Sequence, residues 1–165
     1  MIQIRISKIV VLGICALLGG LPGINNILDY GVNLEFVRHV LSMDTLKFTP
    51  ENATWRAIES PFLHHLGYIS IILGELALGV LGIWGCIDMW KARKDVTAFN
   101  KAKIKGIIAL TIGIAIWLFG FIVVGGEWFL VWLSDGWDAI QSAFRFVVVF
   151  MFGLLFLFMK DENWD

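Results

Sequence analysis

Charge is scarce in this chain. Of 165 residues only 16% are Asp, Glu, Lys or Arg, against about 25% in a soluble domain. The hydrophobic share is 58% and the mean hydropathy +0.79, which excludes an ordinary soluble fold. Neither the net charge of −1 nor the charge pattern suggests a nucleic-acid partner. Cysteine is nearly absent. Cys15 and Cys86 both fall inside apolar blocks, so neither a disulfide framework nor a zinc motif is spelled out. No nucleophile stands with its base, and neither a phosphate loop nor a dinucleotide fingerprint occurs. No repeat, low-complexity tract or linker divides the chain, which reads as a single integral membrane domain over 1–165. A non-catalytic protein is expected, with no cofactor implied by any motif.

What is present is four long apolar blocks, each close to the roughly 20 residues that a helix needs to cross a bilayer. The spans are expected at about 9–28, 61–87, 106–126 and 137–159. The first follows Arg5 and Lys8 and is too long for a signal-peptide core. It reads as a retained helix in which Pro22 is a tolerated kink near the outer end. The second opens on Ser60-Pro61, an N-cap followed by proline at the first helical position. The expected fold class is therefore all-α, a four-transmembrane-helix bundle.

Lysine and arginine set the orientation, because loops retained in the cytoplasm keep these residues. Segment 88–105 carries Lys91, Arg93, Lys94, Lys101, Lys103 and Lys105 against Asp95, so it is expected inside. Arg5, Lys8 and Lys160 then also lie inside, while the outer side receives only Arg38, Lys47 and Arg56. Both termini are thus expected in the cytoplasm, with Trp84 and Trp90 at the inner boundary and Trp128, Trp132 and Trp137 at the outer one. The external segment 29–60 is too long for a simple turn. Leu34, Val37, Val40 and Leu41 share one helical face there, predicting a short amphipathic helix at the outer leaflet. Thr49-Pro50-Glu51 reads as a second helix start carrying Trp55 and Ile58.

Glu75 is the first candidate functional residue. It lies about fourteen residues into the second span, roughly 20 Å along the axis from Pro61 and so near mid-membrane. An ionised carboxylate there is costly unless it is paired, hydrated or protonated, which makes it a functional-site candidate by default. Gly79, Gly82 and Cys86 continue its helical face and point it toward a closely packed neighbour. Arg145, in the first half of the fourth span, is the expected counter-charge, within reach of either Glu75 or the shallower Glu127 by depth. On the external face the candidates are His39, Trp55, Arg56, His64 and His65. Adjacent histidines point about 100° apart on a helix and no His-x-x-x-His pair occurs, so no metal site is expected. Spans one, three and four hold no histidine, which disfavours a bis-histidine haem.

The runs Asn25-Asn26-Ile27-Leu28-Asp29-Tyr30, Phe36-Val37-Arg38-His39-Val40-Leu41-Ser42-Met43-Asp44 and Val123-Val124-Gly125-Gly126-Glu127-Trp128-Phe129 form a distinctive combination. With Trp55-Arg56-Ala57-Ile58, His65 and Ala143-Phe144-Arg145-Phe146, it resembles the bacterial family of predicted small integral membrane proteins labelled domain of unknown function 2165. The resemblance implies a four-span protein of the bacterial inner membrane and brings no activity with it.

Three functional expectations follow. The first is an accessory or assembly subunit that contacts the lipid bilayer and a larger membrane-protein complex, or its own copies as a homo-oligomer. The second is a transporter or channel component using Glu75 and Arg145. The third is a quinone-interacting redox protein using the outer histidines and Glu127.

Overall fold

The computed structural model describes residues 2–48, 50 and 52–162, and among them the protein is helical throughout, without a strand. Four helical stretches are long and apolar enough to cross a membrane: Ile2–Leu28, Pro61–Ala92, Val96–Trp128 and Ile140–Phe158. We number the helices α1 (Ile2–Leu28), α2 (Tyr30–Ser42), α3 (Pro61–Ala92), α4 (Val96–Ala102), α5 (Ile104–Ile114) and α6 (Ile140–Phe158). The all-α bundle expected from the apolar blocks is the fold found.

Each long helix buries one face at helical spacing. In α3 that face is His64, Tyr68, Ile72, Glu75, Leu78, Gly82, Gly85 and Met89, and in α1 it includes Lys8, Leu12, Cys15, Gly19, Gly23 and Asn26. The two helices touch backbone to backbone. A Cβ on Gly20 would sit 2.8 Å from the Cα of Gly79, and one on Gly82 would sit 2.5 Å from the Cβ of Ala16. Small residues thus replace side-chain interdigitation with close helix approach, which suits a bilayer, where lipid tails are as apolar as leucine. The main core gathers Leu12, Leu78, Leu110, Trp117, Val147 and Phe150 from α1, α3, α5, its continuation and α6.

Beyond Ile114 the third spanning stretch widens. Residues Ala115–Trp128 form a π-helix, closed at its end by Phe129 N–H donating to the carbonyl of Val124 at 3.0 Å. A π run of this length is unusual, since i→i+5 bonding occurs mostly as single-turn bulges.

The segment between the first two spans forms a cap, α2, held on α3 by Val37 against Tyr68 and Ile72, with Leu34 and Leu41 alongside. The amphipathic face read from the sequence therefore packs on a neighbouring helix. After Met43, in the left-handed conformation at φ 55°, the chain runs beside the loop that precedes α6. An isolated bridge Leu46↔Ser134 and a 2.6 Å hydrogen bond between the Thr45 and Ser134 hydroxyls tie the two together. Of the expected second helix start, Thr49 and Glu51 lie outside the described residues. Trp55 sits on a single 3₁₀ turn, Thr54–Arg56, and Ile58 follows it outside any helix.

The basic segment differs from the expected solvated loop. It folds as α4, whose first turn is capped by Asp95 accepting from the N–H of Ala98 at 2.7 Å. Three basic residues at this end of the bundle are interior, Arg5 among them at 4% exposed. Lys8 is 1% exposed and Lys103 3%, and both ammoniums donate to the carboxylate of Asp161 and to the carbonyl of Met159. Asn100 Oδ1 accepts from Lys103 at 2.8 Å and from the backbone N–H of Asp161 at 3.1 Å. The segment after α6 is thereby fastened to α1 and α4. Burial pushes the Asp161 carboxyl pKa up, but hydrogen bonds from Lys103 and Lys8 outweigh it and hold the carboxyl below its ordinary range.

Candidate functional site: a polar cavity at Glu75

Glu75 belongs to the buried face of α3 because residues 68, 72, 75 and 78 recur at three- and four-residue intervals. It is 3% exposed and packs closely on α1, a Cβ on Gly23 falling 2.9 Å from its own Cβ. Its partner is Asn26 of α1, which donates through Nδ2 to Oε2 at 2.7 Å. Asn33 of α2 donates in turn to Asn26 Oδ1 at 2.5 Å, and the Tyr68 hydroxyl donates to the Asn26 carbonyl at 3.2 Å. The result is a directed chain of amides from the cap down to the carboxylate. Among the described residues Oε1 of Glu75 has no hydrogen-bond partner.

A cavity of about 190 Å³ opens beside this chain. Glu75, Asn26 and Asn33 line its polar side, and Phe36, Trp117, Phe121 and Phe146 supply aromatic walls. Trp117 is held face to face with Phe146 at 4.6 Å between centroids and 1° between planes, which fixes its ring at the cavity wall. The π turns bring Trp117 and Phe121 to this side. A second cavity of about 190 Å³ adjoins the first and shares Phe36, Val37, Ile71, Phe121 and Ala139 with it. Its remaining lining, including Val40, Leu41, Val124, Phe129 and Ile140, is apolar.

A family model described as predicted small integral membrane protein (DUF2165) matches residues 4–160. The chain belongs to this family. No curated protein and no solved structure matches the chain. As a member of DUF2165 it is an integral membrane protein with four candidate spans, and the family description assigns no activity.

The other candidates of this DUF2165 chain fall elsewhere, and the expected counter-charge is absent from the site. Arg145 faces out of the protein and makes no ion pair among the described residues. The buried face of α6 is Ala143, Val147 and Phe150, and a residue two positions past Ala143 is rotated by about 200°. Glu127 is likewise exposed and unpaired among the described residues. Neither reaches Glu75; depth alone leaves the partner of Arg145 open.

The external residues divide into three groups. His39 pairs with Asp44 and lies against Trp137, ring centroids 4.4 Å apart and planes tilted by 38°. Arg38 can only donate, so its 3.0 Å contact makes His39 Nε2 the acceptor and leaves Nδ1 to donate to Asp44 Oδ1 at 2.7 Å. Burial pushes the Asp44 pKa up, and bonding to His39 and Ser42 with the charge of Arg38 brings it below the usual carboxylate range. His64 is buried and donates through Nε2 to the carbonyl of Ile58 at 2.7 Å, whereas His65 is exposed, bonded to the Tyr30 hydroxyl at 2.8 Å. Arg56 lies 5.8 Å from the Trp55 ring and 5.1 Å from the Trp128 ring, donating to the Trp128 carbonyl at 3.2 Å. These groups join the cap to the bundle. Among the described residues no group of three or more His, Cys, Asp or Glu is placed to hold a metal ion.

Sequence reasoning missed Asn26, Asn33 and Tyr68. Asn26 was detectable as a polar residue continuing the Gly19, Gly23 face of α1 toward Glu75, but Asn33 and Tyr68 carry no comparable signal.

Proposed function

We propose that this is a non-catalytic membrane protein that binds a small ligand in the Glu75 cavity. One observation carries the proposal: a carboxylate 3% exposed, with one oxygen lacking a partner among the described residues, opens into a cavity that none of their cationic side chains lines. A buried carboxylate without a compensating cation costs several kcal/mol, so a site of this kind persists where a ligand, water or a proton completes it. The accessory-subunit reading drew on the lack of a cofactor motif. A ligand site is compatible with it and gives the protein something to present to a larger complex. For a transporter, the absence of Arg145 from the site removes the proposed gating pair.

The orientation supported by the nine basic residues on one side against three on the other is N-in, C-in across a bacterial inner membrane. A Lys94→Cys variant is expected to react with a membrane-impermeant maleimide in inverted vesicles only.

The ligand test compares organic extracts of the purified wild type, Glu75→Gln and Ala139→Leu by mass spectrometry. Ala139 lines both cavities, and a leucine there would fill the space they share. The expected result is a stoichiometric small molecule in the wild type that falls at least tenfold in both folded variants. Identical extracts from all three would refute the proposal.

A further inference from the structure

We infer that the ligand of this site, on the reading proposed above, is an amphiphilic amine: an ammonium head at Glu75 and an apolar chain in the adjoining cavity. The inference begins with the unused valences. Within the polar cavity, Asn26 spends a donor on Glu75 and Asn33 spends one on Asn26, which leaves Glu75 Oε1 and Asn33 Oδ1 without donors among the described residues. Both can accept. An ammonium supplies three donors and the charge that the carboxylate lacks.

The walls agree with a cation. Phe36, Trp117, Phe121 and Phe146 surround the polar end, and aromatic faces attract ammonium groups, tryptophan most strongly. An anionic head meets the opposite environment, because no Lys, Arg or His lines this cavity. Negative charge beside Glu75 would face repulsion with nothing to relieve it.

The tail follows from the second cavity. Its polar and apolar character is set by Val40, Leu41, Gly67, Val124, Phe129 and Ile140, none of which offers a side-chain hydrogen bond. Together the two cavities reach the lower end of the size range for small-molecule sites, roughly 300 Å³. Neither half alone does so, each being about 190 Å³. The five shared lining residues make the two spaces neighbours, and on this reading one molecule occupies both. Buried chain length should then raise affinity at about 0.8 kcal/mol, near fourfold, per methylene.

The test uses the full chain in nanodiscs of zwitterionic lipid, titrated with decylamine, decanol, decanoate and butylamine, with binding to empty nanodiscs subtracted. Saturable one-to-one binding of decylamine, at least tenfold tighter than decanol, decanoate or butylamine, is the expected result. Glu75→Gln, which keeps an acceptor for Asn26, is expected to reduce the preference for decylamine over decanol at least tenfold. The wild-type series decides the matter even where that variant fails to fold. Decanol or decanoate binding as tightly as decylamine would overturn the ammonium head. Butylamine matching decylamine would overturn the tail. No binding by any of the four, with an extractable ligand still lost in Ala139→Leu, would overturn the amine class while leaving the ligand site standing.

Discussion

The contact of α1 with α3 predicts a specific cost for adding one methyl group. A Cβ on Gly20 would lie 2.8 Å from the Cα of Gly79, where carbon atoms pack best at about 3.5–4.0 Å. The obstacle is backbone, so it cannot rotate away, and the helices must part by most of an ångström. Overpacking of this kind costs about 1–3 kcal/mol. Alanine also gains about 0.5–1 kcal/mol over glycine in a helix interior through lower chain entropy. Gly31, on α2, measures that gain alone, since nothing lies within 4 Å of its Cβ position. The difference in unfolding free energy between Gly20→Ala and Gly31→Ala cancels the intrinsic term and isolates the clash, about 1–3 kcal/mol. It can be measured in bicelles by SDS titration. Asn26 lies six residues beyond Gly20, about 9 Å along the same helix, so the parted helices would also lengthen the 2.7 Å bond to Glu75. Adding Gly79→Ala to Gly20→Ala should cost less than Gly79→Ala alone, because the helices have already separated. Equal stability of Gly20→Ala and Gly31→Ala would refute the reasoning.

The remaining predictions concern charge. Asp161→Asn removes the carboxylate shared by Lys8 and Lys103, whose side chains are 2% and 4% exposed. Breaking a buried pair costs about 3–5 kcal/mol, visible as a large fall in melting temperature. Because the Asp161 pKa is lowered on folding, its stabilisation is full above about pH 4 and is lost as pH falls through the folded value. Acid melts should show that decline in the wild type and not in Asp161→Asn. Arg56→Leu should cost about 0.5–2 kcal/mol by removing its contacts with the Trp55 and Trp128 rings, and a change in tryptophan emission would report it. Unchanged emission and stability would rule out the cation–π account. Glu75→Gln should melt no lower than the wild type, since glutamine keeps the acceptor for Asn26 and carries no buried charge; a clear fall would show that the carboxylate is a structural element of the bundle.

Sequence reached the architecture because a bilayer imposes it. Twenty apolar residues in a row have few alternatives to a spanning helix, and the 3.6-residue period told which face of α2 was apolar. The depth of Glu75 followed from counting, at 1.5 Å per residue. Partner choice did not. Depth is fixed along a helix, but contact depends on rotation about the axis, and rotation is set by packing of all the helices together. Arg145 matches the expected depth and still points away, because Ala143, Val147 and Phe150 occupy the inner face of α6. Lys8 and Lys103 counted in the sequence only as basic residues of the inner side, and the fold brings Asp161, from the other end of the chain, to both.

The sequence by itself therefore determined an integral, all-helical membrane protein with four candidate spans and an acid inside the second. Tertiary structure alone decided that Asn26 and Asn33 serve that acid and that the π turns Ala115–Trp128 turn Trp117 and Phe121 toward it. Hydropathy is a sum over residues and survives any arrangement, whereas a cavity is a mismatch between surfaces brought together only by the fold.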